Sequence, residues 1–151
     1  MTDRTDQALD TDLAHVGAEI GRADTKAALL VGLAGAALAV TGGAVKDYSL
    51  PAAAQITGGL GAATLVEAIV TLLLVVRPAL GGSARHSWPH WATCTPEQVR
   101  EQLREDRRAE RLCDMARLAS RKMHGIRRAV HLLLGGIGLL TFAALAAITP
   151  A

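Results

Sequence analysis

Three stretches of the chain are free of charge, or nearly so, over lengths that match a bilayer. Ala27 to Val45 has no charged residue, Ala52 to Val76 has one, Glu67, and Ala129 to Ile148 has none. About 20 helical residues rise about 30 Å, the thickness of the hydrocarbon core. Lipid offers a bare backbone no hydrogen-bond partner, so a spanning run must be helical. One such run alone could be a buried helix of a soluble protein. Three in 151 residues predict membrane helices over 27–45, 52–76 and 129–148.

Outside these runs the pattern becomes amphipathic. Leu9, Leu13, Val16, Ile20, Ala23 and Ala27 recur every three or four residues, while Asp10, Asp12, Glu19 and Arg22 occupy the other face. That spacing predicts a helix over 8–26 continuing into the first span, with residues 1–7 frayed. Lys46 to Pro51 reads as a short turn, making the second span antiparallel to the first. Arg77 and Pro78 stop the second span, and 77–95 reads as a loop with Gly81, Gly82 and Ser83. Trp88 and Trp91 within it suit the headgroup level. Thr95-Pro96-Glu97-Gln98 has the form of a helix start, with Thr95 as cap, Pro96 at the first helical position and Gln98 closing a capping box. A helix is predicted over 96–124, its apolar line being Val99, Leu103, Leu112, Ala116, Ala119 and Met123. Gly125 is a candidate bend. The expected fold is an all-α membrane protein of one domain, 1–151. It has three transmembrane helices, a cytoplasmic amphipathic N-terminal helix, and a long basic cytoplasmic helix leading into the third span.

Composition sharpens this. Half the residues are apolar but only 3% are aromatic; Ala, Leu, Val and Gly dominate, which suits close packing of membrane helices. The net charge of +2 hides a segregation: residues 1–26 hold six acids and three bases, residues 77–128 six acids and twelve bases. Arg22 and Lys26 precede the first span, Arg77 and Arg85 follow the second, and Arg121, Lys122, Arg127 and Arg128 precede the third. Only Lys46 lies on the other side. The basic flanks place the N-terminus in the cytoplasm and the C-terminus outside. The first apolar run begins late, behind an acidic head, so no signal peptide is expected. Cys94 and Cys113 form no disulfide framework, and both fall in segments read as cytoplasmic.

Glu67 is the residue most costly to place. An ionisable group near the middle of a span costs about 3 kcal/mol even on lenient insertion scales. Thr57, Gly61, Thr64, Glu67 and Thr71 share one helical face. Two readings stay open: a small, polar face for tight packing with Glu67 protonated, and a water-lined face in an oligomeric pore. Thr141 is a candidate partner at similar depth, whereas His131 lies near the cytoplasmic edge. A basic stripe of Arg100, Arg104, Arg107, Arg108 and Arg111 continues to Arg117, Arg121 and Lys122. It suits a phosphate ligand. It equally suits a solvated face with Glu97–Arg100, Glu101–Arg104 and Asp114–Arg117 pairs, anionic lipid, or the acidic N-terminal helix. His86, His90 and Cys94 recur every four residues, but Pro89 argues against a helix there and a fourth ligand is lacking, so no metal is expected. No phosphate loop, zincin motif or Ser-His-Asp pattern can be assembled, and neither catalysis nor a cofactor is expected.

At Ala23-Asp24-Thr25-Lys26-Ala27-Ala28-Leu29-Leu30 the chain resembles the Pycsar transmembrane effectors, in which an acidic-Thr-Lys step leads into the first span. Ala119-Ser120-Arg121-Lys122-Met123 is a second echo, with Lys122 matching and Met123 standing where an aromatic residue is usual. The order of a short head, two spans, a cytoplasmic helix and one span agrees. The resemblance implies an antiphage effector without enzymatic activity. A partner cyclase makes cyclic CMP or cyclic UMP on infection; the effector senses it and impairs the inner membrane, leading to abortive infection. On this reading Arg22, Asp24, Lys26, Arg117, Arg121 and Lys122 form the nucleotide site. The expected partners are the bilayer, the cyclic nucleotide and further copies of the chain, with no nucleic acid. The rival expectation is a membrane scaffold or regulator that binds a protein through its cytoplasmic helices.

Overall fold

The computed structural model describes residues 2–44, 51–77, 90, 92–102, 104 and 106–148. Four helices account for most of them: α1 (Thr2–Ala44), α2 (Ala52–Val76), α3 (Pro96–Gln102) and α4 (Arg108–Ile148). No strand occurs among the described residues. Among the described residues, three helices are long and apolar enough to cross a membrane, within Arg4–Gly43, Ala52–Val76 and Arg108–Ile148. The all-α class with three membrane-length apolar helices, read from the sequence, is the one observed. The expected turn Lys46–Pro51 except for Pro51 itself, most of the 77–95 loop with both tryptophans, and His86 lie outside the described residues.

The chain divides into two compact units, one of residues 1–21 and 77–121, the other of 22–76 and 122–151. The second holds the apolar core. Ala27 and Ala34 of α1, Leu65, Ala68 and Leu72 of α2, and Ala129 and Leu133 of α4 are buried together. Among the described residues, the largest fully buried side chains are Leu65 and Leu72. Small residues let backbones approach where lipid tails leave no hydrophobic drive between helices. Gly61 and Gly136 mark a close approach of α2 and α4: a Cβ on Gly136 would lie 2.8 Å from Leu65 Cδ2, and one on Gly61 would lie 3.1 Å from the Gly136 carbonyl oxygen. Gly58 faces Ala143, and Gly125 faces Val75 in still closer contact. Those pairings run in opposite directions along the two helices, so α2 and α4 are antiparallel. Gly125, the expected bend, lies inside the unbroken α4 and is a packing position. Leu29, Val40, Ile56, Leu74, Leu134, Phe142 and Ile148 are exposed on the outer faces, as lipid-facing residues are.

In the first unit, residues 2–7 are helical where fraying was expected; Asp6 is held by Arg108 at 2.8 Å. Gly17 of α1 faces Met115 of α4 at 3.6 Å from its Cβ position. The capping box at α3 forms as read: Gln98 Oε1 accepts from the Thr95 amide at 2.9 Å, and the Gln98 amide donates to Thr95 Oγ1 at 3.4 Å. The basic helix leads unbroken into the third span, but its first turns are set apart as α3. Asp106 separates them. Its Oδ1 accepts from the Arg108 amide at 3.1 Å, a side-chain bond that competes with helix continuation.

Candidate functional site

Among the described residues of the second unit, Lys122 and Arg128 of α4 each pair with a carboxylate of a neighbouring helix. Where the apolar runs begin, Lys122 Nζ donates to Asp24 Oδ1 at 2.5 Å. Lys122 is only 13% exposed and Asp24 37%, which shields the pair from solvent more than a surface bridge. Ala23 and Ala27, fully buried on either side, bring α1 close enough for it. Arg22 and Lys26 are both exposed. Each sits about 200° round the helix from Asp24, which puts the two bases on one face, four residues apart. The structure thus unites Asp24 with Lys122 and sets Arg22 and Lys26 together on another face of α1. Arg117 and Arg121 belong to the other unit, where Arg117 bonds Asp114 at 3.1 Å.

The second pair lies deeper. Arg128 donates to Glu67 Oε1 at 3.2 Å. The Glu67 side chain is 54% exposed and that of Arg128 70%. With Val75 level with Gly125, a rise of about 1.5 Å per residue leaves about 7 Å between Glu67 and Arg128 along the axis, which two long side chains bridge. Thr141 is not the partner; its hydroxyl donates to the Ile137 carbonyl at 2.8 Å. Thr57, Thr64 and Thr71 likewise donate to the carbonyls of Ala53, Leu60 and Glu67 at 2.7–2.9 Å. Hydroxyls satisfied by their own helix suit an apolar medium, and Gly61 on that face packs against α4. With the threonine hydroxyls satisfied by their own helix, Glu67 is the polar side chain of this face that reaches another helix.

In the first unit, Arg108 gathers acids from two elements. Besides Asp6 it reaches Asp10 at 3.1 Å and Asp106 at 2.9 Å. The Arg108 guanidinium, then its amide, hold the Asp106 carboxyl at about 2, well below the usual carboxylate range. The same contacts, Asp106 first and then Asp10, raise the affinity of Arg108 for its proton. The acidic N-terminal helix thus engages the basic helix, one of the uses foreseen for the stripe. Elsewhere along it the pairs are local and exposed: Arg100–Glu97 at 3.6 Å and Arg107–Glu110 at 3.8 Å. Such pairs contribute at most about 1 kcal/mol each. Cys94 Sγ lies 3.4 Å from His90 Nε2, which is also 3.4 Å from Gln102 Nε2. Among the described residues no three His, Cys, Asp or Glu side chains are placed to hold a metal.

Sequence reasoning missed Arg128 as the partner of Glu67 and Arg108 as the collector of acids. The antiparallel register of α2 and α4 was the missing signal for the first.

No curated protein and no solved structure matches the chain. The sequence model of the Pycsar effector protein domain matches residues 8–149, nearly the whole chain and both ion pairs of the second unit. The chain belongs to the Pycsar effector family, and is a membrane effector of an antiphage Pycsar system.

Proposed function

We propose that the chain senses a cyclic pyrimidine nucleotide, cyclic CMP or cyclic UMP, made by a partner cyclase, and in response impairs the inner membrane in an abortive infection. The N-terminus lies in the cytoplasm on this reading, as the basic flanks require. The observation that carries it is the sheltered Asp24–Lys122 pair, in a chain that the effector family spans from residue 8 to 149. A cyclic nucleotide offers one phosphate charge, ribose hydroxyl and base donors and acceptors. Lys122 suits the phosphate and Asp24 suits a ribose hydroxyl or base amine. Binding exchanges the protein's internal pair for two pairs with ligand, so the ligand favours one helix arrangement over another. Arg22 and Lys26 add positive potential on the exposed face of α1. Three spans are too few to enclose a wide pore, so the membrane is impaired by several copies together.

The test is a charge swap, Asp24→Lys with Lys122→Asp, beside Lys26→Ala. A purely structural pair survives the swap; a nucleotide site does not. Both variants are expected to reach the membrane fraction, and to leave membrane potential unchanged when the cyclase is induced, while the parent depolarises. Full depolarisation by the swapped variant removes Asp24 and Lys122 from the site. Toxicity of the parent without any cyclase, or none with it, favours the scaffold reading.

A further inference from the structure

A hollow of ≈ 480 Å³ lies on α4, lined by His124, Arg127, Arg128, His131 and Leu132. The two arginines and two histidines recur at intervals of three, one and three residues, so they share one helix face, and all four are exposed. They stand where the uncharged run begins at Ala129. Arg128 keeps Glu67 on one side yet remains 70% exposed, and its guanidinium has five N–H donors, more than one carboxylate oxygen uses.

The same face changes character along the helix. Gly135 and Gly138 follow, and a Cβ on either would meet nothing within 4 Å. Phe142 and Leu145, both exposed, come next. A cationic rim thus opens onto a shallow apolar trough that ends at Phe142, about 21 Å from Arg128 on a rise of about 1.5 Å per residue. Free phosphate needs only the rim. An anion with a hydrocarbon tail matches the rim and the trough together.

We propose that the His124–Arg127–Arg128–His131 face of α4 binds an anionic phospholipid, its phosphate held by the arginines and histidines and one acyl chain lying over Gly135 and Gly138. Arginine forks match phosphate oxygens in pairs, and basic pockets beside membrane helices suit phosphate head groups. The inference does not depend on the nucleotide reading, because Asp24, Lys26 and Lys122 take no part in it.

The probe is phosphatidylglycerol, with phosphatidylcholine as the neutral reference, bound to the full chain in neutral detergent and counted by native mass spectrometry. The parent is expected to retain phosphatidylglycerol over phosphatidylcholine by about tenfold. Arg127→Gln with His131→Gln leaves the Arg128–Glu67 pair in place and is expected to abolish that preference. Arg100→Gln with Arg104→Gln, a charge change elsewhere, is expected to preserve it. A third variant, Gly135→Phe, fills the trough without touching a charge and is expected to weaken retention of the lipid. Equal retention by all variants, or equal loss in both charge variants, overturns the proposal. Displacement of the lipid by millimolar inorganic phosphate, with no effect of Gly135→Phe, overturns it in favour of a free-phosphate site. Circular dichroism confirms that each variant retains its helices, and Gly135→Phe decides the question if the double variant does not fold.

Discussion

Removing Arg128 and removing Glu67 should differ in cost, although they break the same bond. Glu67 lies about 14 Å from the end of α2 at Val76, near the middle of a hydrocarbon core about 30 Å thick. Its charge there costs about 3 kcal/mol on insertion scales when unpaired. Arg128 precedes the third uncharged run and carries a long flexible stem. With Glu67 replaced, it can turn its guanidinium back to the headgroups at little cost. Arg128→Gln leaves the carboxylate without that partner. We expect Arg128→Gln to destabilise by about 2–3 kcal/mol and Glu67→Gln by about 1 kcal/mol or less. The double variant should resemble Glu67→Gln alone, giving a coupling energy of about 2 kcal/mol. Reversible unfolding of the full chain in mixed micelles, run as a double-mutant cycle, measures this. Equal single costs that simply add would refute the reasoning, since they would mean that neither charge depends on the other.

Two further outcomes follow from single contacts. Gly136→Val puts side-chain atoms against Leu65 and the Gly61 carbonyl, already 2.8 Å and 3.2 Å from a Cβ; it should separate α2 from α4 and cost about 2–3 kcal/mol, whereas Gly138→Val, facing open space, should cost less than about 1 kcal/mol, and thermal unfolding of the two variants compares them. Because the folded Asp106 carboxyl titrates at about 2, below its unfolded value, its contribution is full above about pH 4 and lost as pH falls through about 2; Asp106→Asn should flatten the fall of thermal stability in that window, and an unchanged slope would refute the assignment.

The spans were legible because lipid imposes one demand on every residue of a run, and a count of uncharged positions answers it. Capping was legible for a similar reason: Thr95 and Gln98 act within one turn. The Asp24-Thr25-Lys26 step was legible as a marked sequence, but not as a geometry. Asp24 and Lys26 are two residues apart and therefore on different faces, and the base that meets Asp24 is Lys122, far along the chain. The partner of Glu67 was hidden in the same way. It depends on the register of two antiparallel helices, set by Gly61, Gly125 and Gly136, and no local pattern encodes it. The break before Arg108 did leave a trace. The apolar line jumps from Leu103 to Leu112, so the intervening turn has no apolar face to bury, and Asp106 offers its own carboxylate to the backbone instead.

The two ion pairs of the second unit converge on one helix. Lys122 and Arg128 are less than two turns apart on α4, and each holds a carboxylate from a different neighbour, Asp24 of α1 and Glu67 of α2. Neither pair is made by the helix within itself, so any shift of α4 along or about its axis strains both. An anion that draws Lys122 from Asp24 therefore acts on the element that neutralises Glu67. With Arg128 displaced, Glu67 faces outward from an apolar span with its charge unmet. Lipid cannot solvate that charge, whereas water or another copy's polar face can. On the proposed reading, nucleotide at the start of the spans and disturbance at their middle are two ends of one rigid helix. The proposed phospholipid on Arg128 would hold that helix at the membrane edge.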